Sequence, residues 1–237
     1  MRASGSDKAP GVAVASPAHT AGLLLALLVL SVGGFRHPMS EWPQELSVPG
    51  ARTLLYLQIL ALQWVWAGYV WLGVRRAQGG VRELIDASPW TARRWLRYAV
   101  VGVGGFIVWL VVAAGLGAIL RPSVEQLRGL QSMLPHTPQE RLLWIAFAVS
   151  AAICEEVVYR GYLFRQFRAA TGSALAAVVL QAAAYGAAHL ALPMEMVVSV
   201  GLLGILLGAI AVWQKSLVPA MILHAGTGLM ALAASGP

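Results

Sequence analysis

The sequence predicts an all-α fold, a polytopic transmembrane helical bundle of about seven spans. Three observations carry this expectation. Of the 237 residues, 58% are hydrophobic and only 11% are charged, with a mean hydropathy of +0.69, whereas soluble domains carry about 25% charged residues. Apolar runs long enough to cross a hydrocarbon core recur along the whole length. No run alternates apolar and polar residues as barrel strands do, so helices, which satisfy their own backbone hydrogen bonds, are the way left to cross. The length suits one integrated membrane domain, with residues 1–140 as three N-terminal spans and their loops and residues 141–233 as the core.

The apolar segments, in order, are residues 18–35, 53–74, 98–120, 142–164, 173–190, 194–213 and 217–233. The first follows a polar start carrying Arg2 and Lys8. A cleaved signal peptide has that shape, but apolar character continues through Phe35 and favours a retained span. Charged or Pro/Ser-bearing connectors occupy 36–52, 75–97, 121–141 and 165–172, with short turns near Pro193 and Lys215. Residues 123–134 (SVEQLRGLQSML) predict a short interfacial helix. Gly204 and Gly208 form a GxxxG, read as packing within the bundle.

The formal charge of +7 comes almost wholly from arginine. In a soluble chain this suggests nucleic acid. In this one it predicts loops that meet anionic headgroups, so the expected partners are the lipid bilayer and a membrane-associated protein or peptide, with no nucleic acid. With the N-terminus inside, the inner loops hold Arg2, Lys8, Arg75, Arg76, Arg82, Arg93, Arg94, Arg97, Arg165, Arg168 and Lys215; the outer loops hold Arg36, Arg52, Arg121, Arg128 and Arg141. The positive-inside bias then predicts N-in, C-out, with the fourth span's charges in the cytoplasmic half. High Ala and Arg with little Lys point to a bacterial cytoplasmic membrane. Cys154 is alone, forms no internal disulfide, and reads as a small buried hydrophobe.

Leu142–Phe164 is a 23-residue apolar stretch whose only charges are Glu155, Glu156 and Arg160. Ionisable side chains are costly in a bilayer and persist where they face a protein interior or wet cavity, so this cluster is the candidate site. On a helix, residues four apart share a face, so Glu156 pairs with Arg160. Glu155 lies about 100° round and is left to point into the bundle. Two more embedded ionisable residues are His189, in YGAAH (185–189), and His224, in HAGTG (224–228). The other histidines, His19, His37 and His136, fall in the polar start or the loops. Carboxylates with histidines in an apolar setting point to proton chemistry.

These residues resemble a known family. Glu155-Glu156-Val-Val-Tyr159-Arg160-Gly161 is similar to the EExxxR signature of the CAAX-protease and bacteriocin-processing (CPBP, or Abi) membrane proteins. Tyr185-Gly-Ala-Ala-His189 resembles that family's second motif, an aromatic residue four before a histidine. Residues 201–228 resemble the third, ending in a histidine followed four residues later by Asn or Asp. The resemblance covers about residues 141–233. It implies a glutamate-type intramembrane endopeptidase with no cofactor or metal: Glu155 as the base that activates water, His189 holding that water, Glu156 and Arg160 completing the motif, and His224 stabilising the oxyanion. The chain departs at position 228, which is Gly; losing one oxyanion donor costs on the order of 10²–10³ in rate. Thr227, the adjacent donor, projects about 100° away on an ideal helix.

Three alternatives stand beside this reading. Glu155, His189 and His224 are a conceivable zinc set, though HExxH is absent and Arg160 opposes a cation. A catalytically impaired member would serve as a membrane scaffold or peptide-binding partner. A proton-coupled transporter also uses embedded Glu and His, but such carriers show inverted repeats and none is visible. The substrate is not legible from the chain.

Overall fold

The computed structural model describes residues 12–234 apart from 87 and 90, so Arg2 and Lys8 lie outside the described residues. All regular structure among the described residues is helical. The helices are α1 Pro17–Arg36, α2 Trp42–Glu45, α3 Ala51–Arg76, α4 Val81–Ile85, α5 Ala92–Leu120, α6 Val124–Ser132, α7 Pro138–Glu155, α8 Phe164–Thr171, α9 Ala174–Ala187, α10 Met194–Gln214 and α11 Val218–Ala234. A π-helical segment, Glu156–Leu163, joins α7 to α8 in one rod, Pro138–Thr171.

Side-chain caps fix where the helices begin. Ser16, Thr91 and Ser173 accept from the first-turn N–H groups of α1, α5 and α9. Ser123 with Gln126 and Thr137 with Glu140 form capping boxes at α6 and α7, satisfying donors that have no partner inside a helix. The expected interfacial helix is therefore present, and Gln126 also donates to Glu195 Oε2 at 3.1 Å, tying α6 to α10. Gly172 ends α8 at φ +70°, a conformation that costs glycine little.

Among the described residues five helices, counting the α7–α8 rod as one, are long and apolar enough to cross a membrane: α1, α3, α5, the rod and α10. The apolar segments expected at 173–190 and 217–233 form shorter helices, α9 with 14 residues and α11 with 17. At 1.5 Å per residue α9 reaches only about 21 Å, short of a hydrocarbon core of about 30 Å.

Alongside one another, α3 and α7 run parallel, with Arg52 Nε 3.2 Å from Glu140 Oε1 and Tyr56 packed on Trp144. The first span's Leu23 and Leu27 are buried in one core with Val70, Val158, Tyr159 and Tyr162. Gly204 and Gly208 face α9, where an added Cβ would lie 3.1 Å from Ala182 Cβ and 2.6 Å from Gln181 Nε2. The GxxxG thus packs within the bundle, as its sequence suggests. His19, expected in the polar start, sits instead in the first turn of α1 with its ring stacked on Tyr69 at 3.9 Å.

The helix ends gather at two poles. At one, Leu217 N donates to Ile85 O at 2.9 Å, Arg165 donates to Glu83 O, and Gln166 holds the backbone of Val14 and Ala15. At the other, Met39 N donates to Ala191 O at 2.8 Å and Tyr56 donates to Met133 O. The connectors expected on one side of the membrane therefore share one end of the bundle.

Candidate active site

Glu155 is the last residue of α7, and the chain opens at Glu156 into the π-helix, all of whose residues are buried. π-helical turns are rare and concentrate at functional sites. Gly161 permits a close approach there: a Cβ would stand 3.2 Å from Leu217 Cδ1 and 3.3 Å from Leu84 Cβ. The local pairing survives the change of helix type, since Arg160 Nη1 donates to Glu156 Oε1 at 3.0 Å with both side chains fully buried.

α11 adds His224. Its Nδ1 lies 2.9 Å from the same Glu156 Oε1, and its Nε2 lies 3.7 Å from Glu155 Oε2. A carboxylate only accepts, so in the neutral imidazole the proton belongs on Nδ1. The two glutamates are therefore unlike: Glu156 is 0% exposed and held by two donors, while the Glu155 side chain is 22% exposed.

Buried charge must be compensated. Beyond the ion pair, the Arg160 guanidinium lies 4.2 Å from the centre of the Tyr185 ring and 5.8 Å from that of Tyr159, a cation–π arrangement suited to a desolvated arginine. Tyr185 also approaches both histidines. Its hydroxyl is 3.4 Å from His224 Nε2, and its ring is 4.8 Å from the His189 ring. His189 follows α9 in a turn, where its Nδ1 donates to Tyr185 O at 2.8 Å. This carbonyl contact leaves Nε2 of a neutral His189 as an acceptor. The short α9 thus ends inside the bundle, at the depth of the glutamates.

Glu155, Glu156, Arg160 and His224 are in direct contact, and His189 joins them through Tyr185. Among the described residues, no three His, Cys, Asp or Glu side chains group as a metal-ligand set. Glu156 Oε1 is already engaged by Arg160 and His224. Cys154 is 1% exposed beside Ser150, in keeping with a packing role.

Gly228 has a packing explanation. Trp144 Nε1 donates to Gly228 O at 2.9 Å, and a Cβ at 228 would stand 2.9 Å from Ala148 Cβ. An Asn or Asp does not fit between α11 and α7 unless one of them moves. Nor does Thr227 stand in, because its hydroxyl donates to His224 O at 2.7 Å. Sequence reasoning named Tyr185 only as a motif aromatic and gave Ala148 and Trp144 no part in the site; a tyrosine hydroxyl in an apolar span was the available signal.

Residues 137–230, from the edge of α7 into α11, match the family model described as Rce1-like, type II CAAX prenyl endopeptidase. The match takes in every residue of the cluster and none of α1–α6. No curated protein and no solved structure matches the chain.

Proposed function

We propose, for a chain whose residues 137–230 match the Rce1-like type II CAAX prenyl endopeptidase family model, a glutamate-type intramembrane endopeptidase. The coarser statement, a membrane-embedded protease acting on peptides, comes with the family and the apolar helices. The finer one is that it hydrolyses a peptide bond of a membrane-associated protein or peptide with water activated by Glu155. One observation carries it: of two adjacent carboxylates, Glu156 is locked by Arg160 and His224 while Glu155 stays partly exposed at 22%.

In this reading Glu155 takes a proton as water attacks the scissile carbonyl, then passes it to the departing amine as the C–N bond breaks. The free Nε2 of His189 accepts from that water and holds it. Glu156 and Arg160 fix His224, whose ring, when protonated, turns Nε2–H to the developing oxyanion. No metal takes part. The protein sits in a bacterial cytoplasmic membrane with its N-terminus inside and the site towards the cytoplasmic half.

The test compares peptide termini in membranes from wild-type and Glu155→Gln cells. Termini present only in the wild type are expected; identical termini would sink the protease reading. A second reading, a membrane scaffold or peptide-binding partner, draws on Gly228 and on the engaged Thr227 hydroxyl, which leave His224 without a second side-chain donor from that turn of α11. It prevails if a folded Glu155→Ala protein serves the cell as well as the wild type.

A further inference from the structure

We infer that Tyr185 is a positioning residue whose phenolic hydroxyl keeps His224 Nε2 away from Glu155. The inference deepens the protease reading and rests on it for its catalytic consequence. Two acceptor groups border Nε2: the Tyr185 hydroxyl at 3.4 Å and Glu155 Oε2 at 3.7 Å. With Nδ1 committed to Glu156 at 2.9 Å, Nε2 of the neutral ring is a lone pair. A carboxylate has nothing to donate to it, whereas a phenol does.

When His224 gains a proton, Nε2 becomes a donor, and the two neighbours compete for it. Were Glu155 to win, the base would be tied up in an ion pair and lost to water. A tyrosine hydroxyl accepts as readily as it donates, so it serves Nε2 in both states until the developing oxyanion takes its place as acceptor. Phenylalanine serves in neither. The ring itself is anchored separately: Tyr185 is 3% exposed, carries the Arg160 guanidinium on its face at 4.2 Å, and packs at 5.0 Å on the Tyr159 ring. The hydroxyl can therefore be removed while the packing stays.

The test is Tyr185→Phe in the full chain, labelled with ¹⁵N-histidine in lipid nanodiscs, with the His224 signals assigned by their loss in His224→Gln. The Nε2 signal of His224 is expected to move, with the melting temperature unchanged. A peptide spanning a terminus seen only in wild-type membranes is expected to show a kcat lowered roughly tenfold or more, the scale of one hydrogen bond to a charged group, and an unchanged KM. An unmoved Nε2 signal, or a kcat within twofold of wild type, overturns the inference. If the wild type cleaves nothing, the protease reading falls by itself, and the nitrogen signal still decides whether Tyr185 holds His224.

Discussion

Glu155 and Glu156 differ by one position and are expected to fail in different ways. Glu156 is fully buried against Arg160 and His224, so Glu156→Gln leaves Arg160 without its counter-charge. Breaking a buried pair costs about 3–5 kcal/mol, and the melting temperature and the yield of folded protein should fall. Glu155→Gln removes no close hydrogen bond and should leave stability within about 0.5 kcal/mol, while lowering cleavage by about 10²–10⁴. Thermal melts and rates on the same preparations check both. Gly228→Asn forces a Cβ to 2.9 Å from Ala148 and should cost about 1–3 kcal/mol by overpacking. Ala148→Gly in the same chain should restore most of it, a coupling read from a double-mutant cycle. The Glu156–Arg160 pair was legible in the sequence because it is local, four residues apart. That His224 reaches the same oxygen was not, for it lies 68 residues away and only the packing of α11 brings it there.

Hydropathy located every apolar helix but not its ends: it stopped short of the polar ends of α3, α5 and the rod, and ran past the end of α9 into a turn. The segment 142–164 became a rod from Pro138 to Thr171, because the Thr137 capping box starts it in polar sequence and α8 carries it past Arg165 and Arg168. The π-helix left no sequence signal of its helix type: Glu156 and Arg160 mark the segment, but their four-residue spacing reads equally well as an α-helix. The start of α1 is tied to the bundle by Gln166. Its Oε1 accepts from Val14 N at 2.7 Å and Ala15 N at 3.3 Å, and its Nε2 donates to Ala15 O and Thr20. Gln166→Leu should speed hydrogen exchange in residues 14–20 while leaving α9–α11 protected; uniform exchange would refute a clamp. At the same pole, Asp86 lies outside the spans. Burial raises its carboxyl pKa, but hydrogen bonds from Tyr98 and Ser88 outweigh this and hold it below the ordinary range. Its contribution is present above the unfolded pKa and lost as pH falls through the lower folded one. Asp86→Asn should therefore melt lower than wild type at neutral pH, with the gap closing only below about pH 3.9.

For the whole molecule, the two poles turn a charge tally into geometry. Arg82, Arg93, Arg94, Arg165, Arg168 and Lys215 lie in or beside connectors joined by the Leu217–Ile85 and Arg165–Glu83 contacts. Under the proposed orientation that pole is cytoplasmic. Single cysteines placed at Gly80 and at Val48, in a Cys154→Ala background, should then label from the inner and outer faces respectively. The proposed chemistry needs no metal, so chelator treatment should leave cleavage unchanged; a loss restored by added zinc would favour the zinc set instead. The most direct measurement is cleavage of a membrane peptide by the purified full chain in liposomes, wild type beside Glu155→Gln. A rate that falls by about 10² or more at an unchanged melting temperature is the expected result. A Glu155→Gln protein that melts like the wild type and cleaves as fast would contradict glutamate-activated water at this site.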